Sequence, residues 1–177
     1  AESIDPLRIE AERAAIAELD RERVDLVKLV LEPGFPDSPM PRLGDAVFLA
    51  AMDEAKARKM RTTVHVGTDA DVRLAINAGA NGIEHAARGL SDDTIALMAA
   101  KRVFFVPTNV VLDYAWKRQV IGGSDPLARR LVEPSILRAL LDPASPLAPM
   151  LRDGAMAERM ARAFEGAMDQ TSKAIRA

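Results

Sequence analysis

Two hydrophobic rhythms alternate along this chain. Over residues 6 to 20, Ile9, Ile16 and Leu19 recur at helical spacing, with Glu and Arg on the other face. Pro6 suits a first turn, so a helix is expected there. VDLVKLVL at 24 to 31 is instead β-branched and Leu-rich with one lysine inside it, the pattern of a strand buried on both faces of a parallel sheet. Glu32 to Leu43 holds Pro33, Gly34, Pro36, Pro39 and Pro41 and reads as a long loop. The rhythms then repeat. A helix is expected from Asp45 to Met60, with Val47, Ala51, Met52 and Ala55 on one face. TTVHVG at 62 to 67 is a strand, Asp69 to Ala78 a short helix closed by Gly79, and GIEH at 82 to 85 a very short strand. Ser91 caps SDDTIALMAA, whose acidic first turn suits the helix dipole. RVFFVPT at 102 to 108 is the fourth strand. Prolines 126, 134, 143, 146 and 149 break the next stretch into short helical pieces. Met156, Met160, Phe164, Ala167, Thr171 and Ile175 line a final helix.

Strand–helix alternation with apolar strands implies right-handed βαβ units and a parallel α/β sheet. No G-x-G-x-x-G or P-loop glycine pattern follows a strand, which disfavours a nucleotide-binding open sheet. The remaining architecture is a partial (β/α)8 TIM barrel, with four of the eight strands that a closed barrel needs. Composition narrows the classes further. A length of 177 residues suits one domain spanning the chain, and 49% hydrophobic against 28% charged residues excludes a disordered tail. A net charge of −2 argues against nucleic acid or an anionic membrane as partner, and the absence of Cys removes thiolate chemistry. No apolar run approaches a membrane span. The opening AESIDPLRIE has neither Met nor a signal-peptide core, so the true start is expected to be missing. Composition fixes no compartment, the cytoplasm being the default.

Three polar residues occupy strand positions: Lys28, His65 and His85, the last two being the only histidines. Singly, each has an ordinary explanation, a hydrogen-bonded histidine or an edge lysine with its head in water. Together they occupy equivalent places in successive βα units, and strand ends of a barrel converge on its catalytic mouth.

The phrases VDLVKLV, VHVGTDADVRLAINAGANGIEHA and FFVPTNV resemble the amidohydrolase superfamily, particularly its imidazolonepropionase-like and Xaa-Pro-dipeptidase-like members. The resemblance implies barrel strands four to seven of a bacterial-type, metal-dependent hydrolase. Such an enzyme cleaves amide, lactam, peptide-like or ester bonds of a small-molecule substrate with a metal-activated hydroxide. It further implies one or two divalent metals, commonly zinc, held by a carboxylated Lys28 and by His65 and His85. Thr108, Asn109 and Tyr114 are candidate substrate contacts, with Trp116 beside them. Asp69 and Asp71 are expected to serve only a helix first turn, and Glu84, by strand alternation, to point away from His85 as a structural residue. The family's His-x-His pair and catalytic Asp are absent from this sequence. EAKARKM has lysines at 56 and 59 where relatives often have His and Gly, and LEPGFPD replaces a Gly-Gly loop. Two other readings stand beside this one. Lys28 could be the nucleophile of a Schiff-base aldolase or lyase barrel, or the chain could be a non-catalytic piece that only binds metal or associates. A half barrel is also expected to need its remaining strands or self-association.

Overall fold

The computed structural model describes residues 6–35, 38–85, 89–109, 126–142, 144 and 154–177. Helices are α1 (Pro6–Arg21), α2 (Asp45–Ala57), α3 (Asp69–Asn77), α4 (Asp92–Lys101), α5 (Pro126–Leu131), α6 (Pro134–Leu141) and α7 (Gly154–Arg176). Strands are β1 (Val27–Leu31), β2 (Gly34–Phe35), β3 (Ser38–Pro39), β4 (Thr62–Val66), β5 (Gly82–Glu84) and β6 (Phe104–Val106). β1, β4, β5 and β6 form one parallel sheet in that order, with β1 and β6 at its edges. The Pro-rich loop departs from expectation by folding a two-stranded antiparallel ribbon from β2 and β3. Its Pro39 stands in an isolated ribbon with no central ladder to break. Residues 1–107 with 170–177 form one compact unit and residues 108–169 a second.

In the first unit the helices cover one sheet face. Val27, Leu29 and Leu31 of β1, Val64 and Val66 of β4 and Ile83 of β5 are buried with Ile16, Phe48, Ala51, Met52, Ala55, Val72, Ala75 and Ile76. Alternation puts Lys28, Val30, His65, Glu84, Phe104 and Val106 on the opposite face, and Val30, Phe104 and Val106 there are 48%, 43% and 42% exposed. That face is the inner surface of a barrel segment. The final helix buries Ala167, but Ile175, the last member of its apolar stripe, is 81% exposed.

β1 and β6 begin later than the sequence suggests, at Val27 and Phe104, while β4 and β5 begin where expected, and all four follow the same turn. Arg23, Lys59, Gly79 and Arg102 all have left-handed φ, at 59°, 60°, 93° and 54°. The next residue in each case returns its N–H to the preceding helix: Val24 to the Leu19 carbonyl, Met60 to Ala55, Ala80 to Ala75 and Val103 to Met98. This double-bonded helix end satisfies the last carbonyls and suits glycine. Only one of the four positions is glycine. Gly79→Val should therefore cost about 1–2 kcal/mol, since a side chain strains the left-handed backbone although there is room for a Cβ. Lys59→Gly should move stability the opposite way, gaining about 1 kcal/mol. Urea midpoints check both, and a stable Gly79→Val protein contradicts the turn assignment.

Candidate functional site

The parallel register sets the depth of each polar group. His65 pairs with Val30 on one side and Glu84 on the other, while Lys28 pairs with Thr63. Lys28 is thus the second residue of β1, one pleat deeper than His65, and not at the strand end as expected. Its stem climbs to the His65 level, where its Nζ donates to Glu84 Oε2. Lys28 faces the open side of the sheet with His65, not the helical layer.

Glu84 corrects a sequence expectation. Its side chain is on the open face, and it joins the cluster through Lys28. Alternation fails one residue later: His85 lies just beyond β5 with φ 71°, a left-handed turn that swings its ring back to the side of its neighbour. The His65 and His85 ring centroids are consequently 4.3 Å apart at an interplanar angle of 64°. His85 Nε2 is 3.9 Å from Glu84 Oε2. Glu32, the first residue after β1, places Oε2 3.4 Å from His65 Nε2 and accepts the Gly34 N–H at 2.7 Å through Oε1. Lys28, His65 and His85 are therefore brought together, in a cluster completed by Glu84 and Glu32. Neither glutamate belonged to the expected site.

The Lys28 hydrogen bond and charge hold the Glu84 carboxyl below its ordinary range, against the effect of burial. Burial, with the like charges of His65 and Lys28, lowers the His85 pKa, while Glu84 and Glu32 oppose that shift. A neutral imidazole is the ligating form. The sign of the stability effect follows. With the folded pKa below an unfolded value near ~6.5, this contribution is complete above that value and is lost as pH falls towards the folded pKa. In EDTA, the urea midpoint should drop between pH 7.5 and 5.5, and His85→Asn should flatten that drop. Equal slopes in both proteins would show that His85 is not the group responsible.

The remaining sequence candidates separate. Thr108 and Asn109 belong to the second unit. Thr108 has φ 54°, and Asn109 Nδ2 donates to Met168 Sδ at 3.3 Å, a contact with α7. Tyr114 and Trp116 lie outside the described residues. Asp69 and Asp71 do more than serve a first turn. Asp71, 5% exposed, accepts from Arg42 at 2.6 Å and so ties the Pro-rich segment to α3. Asp69 accepts the Ser91 N–H at 2.9 Å, joining α3 to the start of α4.

The sequence model of the amidohydrolase family matches residues 6–167. The uncharacterized protein Rv2915c of Mycobacterium tuberculosis (strain ATCC 25618 / H37Rv) is 41% identical over 103 residues, 56% of this chain and 27% of that protein. Mb2939c of Mycobacterium bovis, also uncharacterized, matches to the same extent. Among solved structures, the A. niger ochratoxinase superposes with a TM-score of 0.57 at 19% identity, covering 92% of this chain and 33% of that one. A Xaa-Pro dipeptidase with bound methionine in its active site gives 0.55 at 19%, covering 92% and 36%. The chain therefore spans about a third of these solved relatives, and the likeness to them carries the fold, a segment of a (β/α)8 barrel.

Proposed function

Because this chain belongs to the amidohydrolase family, we propose that it carries part of the active centre of a metal-dependent hydrolase acting on carbon–nitrogen bonds of the amide, lactam or peptide-like class, or on esters. The observation that carries this reading is the approach of two imidazoles, 4.3 Å between centroids, beside Lys28 on the open sheet face. Among the described residues no three His, Cys, Asp or Glu side chains converge as a metal-binding group. The chain's own fit to a metal is thus partial. His65 and His85 offer two nitrogen ligands, and Lys28 would be the third only as its carbamate. A bound divalent metal, zinc being the family's common choice, would polarise the scissile carbonyl and make water nucleophilic near neutral pH.

The chain's residues divide the remaining work. Burial keeps His85 disposed to the neutral, ligating form, and Glu32 approaches the Nε2 of His65. Glu84 engages the Lys28 Nζ. Addition of carbon dioxide needs a neutral amine and therefore requires that pair to open. The test is metal analysis of the chain after equilibration with Zn²⁺, with and without bicarbonate. Metal content should fall at least tenfold in His65→Ala and His85→Ala, and its dependence on bicarbonate should vanish in Lys28→Ala. Unchanged metal content in both histidine variants would overturn the reading.

A further inference from the structure

At the opposite end of the sheet from the histidines, where β4 and β5 begin, lies a second hollow, about 220 Å³ in volume. Its floor is apolar, from Met52, Met60 and Ala78, and its cationic rim is Lys56, Lys59 and Arg61. None of these three cations pairs with a carboxylate among the described residues. Arg58, between them in sequence, pairs with Glu54 at 2.7 Å and Asp20 at 3.0 Å.

An ordinary role for cations here would be to cap the ends of α2 and α3. That role is already filled by main-chain groups. The carbonyls of Glu54, Ala55 and Lys56 accept the N–H groups of Arg58, Met60 and Lys59, and those of Leu74, Ala75 and Ile76 accept Ala78, Ala80 and Gly79. Asn81, also lining the hollow, uses its side-chain oxygen to accept the Thr62 N–H at 2.8 Å, which leaves its amide N–H groups to donate. The three cations outweigh the two helix C-termini, of about half a negative charge each, and leave the rim cationic.

We propose that this hollow binds a small phosphomonoester dianion, its phosphate held by Lys56, Lys59, Arg61 and the Asn81 amide and its short carbon skeleton laid on Met52 and Met60. A cationic rim suits a phosphomonoester, which carries about −1.5 to −2 at pH 7. The hollow has room for a phosphate and a short carbon skeleton. Cationic side chains with a further amide donor are the groups that bind phosphate oxygens.

The test is calorimetric titration of the chain with glycerol 3-phosphate, inorganic phosphate, sulfate, glycerol and a short single-stranded DNA at low ionic strength. Glycerol 3-phosphate should bind saturably at sub-millimolar concentration and more tightly than sulfate, with glycerol silent. The double variant Lys56→Gln/Arg61→Gln should weaken binding at least tenfold, with an unchanged urea midpoint showing that it is folded. His65→Ala should leave this binding untouched, which separates its outcome from that of the metal reading. Three results overturn the proposal: no saturable binding by a folded chain, equal affinity for sulfate, or tighter binding of DNA than of glycerol 3-phosphate.

Discussion

Residues 1–177, expressed alone and supplied with Zn²⁺ and bicarbonate, should hydrolyse nothing in a panel of amides, lactams and esters. The chain brings two imidazoles and one lysine to its open face, and the lysine is engaged by Glu84. By resemblance a complete centre also uses a His-x-His pair and an aspartate that takes the proton of the attacking water, and this sequence has neither. A positioned general base alone is worth about 10²–10⁴ in rate. Removing it together with half of the ligand set should take any remaining turnover below detection. The sheet leads to the same result. Val30, Phe104 and Val106 stand exposed on the face that a closed barrel would enclose, and β1 and β6 are edges. Parallel edges with exposed apolar neighbours invite pairing, so the chain should elute at a concentration-dependent size on gel filtration. Turnover by the isolated chain that disappears in Lys28→Ala and in His65→Ala would refute this expectation.

How far the sequence reveals this site depends on which physical rule reads each residue. Lys28 and His65 are legible because a polar side chain in an otherwise apolar strand must have a reason to be there, and period-2 alternation sends both to the open face. The four-stranded parallel order is legible for the same reason, from apolar runs separated by helical patterns. Glu84 and His85 defeat the rule at one point. Alternation applied to Ile83-Glu84-His85 sets the last two on opposite sides, but β5 stops at Glu84 and the left-handed φ of His85 reverses its ring. Histidine is among the non-glycine residues that favour this conformation, but the preference is too weak to announce the turn from sequence. Glu32 is hidden differently. Beside Pro33 and Gly34 it reads as loop, and only the register, with Leu31 opposite Val66, shows that the residues just past them are neighbours. β1 and β6 begin later than their apolar runs suggest because the turns at Arg23 and Arg102 use charged residues where glycine would announce a helix end.

Gly67→Ala should destabilise the chain by about 1–3 kcal/mol, the ordinary cost of overpacking a filled site. Gly67 is not among the residues with positive φ, so its requirement is for space. A Cβ there would lie 2.7 Å from Pro33 Cδ and 2.8 Å from both Glu32 carboxylate oxygens. Neither neighbour yields easily. The proline ring is rigid, and the carboxylate is tied to the Gly34 N–H and to His65. Relief by moving Glu32 would break its contact with His65, so a stability change becomes a change at the site. Combining Gly67→Ala with Glu32→Ala removes the carboxylate but not the proline, and should recover part of the loss, with a coupling of about 0.5 kcal/mol or more. Urea unfolding of the wild type, both single variants and the double variant measures that coupling. NMR chemical shifts of the His65 ring in Gly67→Ala, set beside Glu32→Ala, read whether the carboxylate has been displaced. A Gly67→Ala protein as stable as the wild type, with unchanged His65 ring resonances, would show that Glu32 is not packed against this glycine.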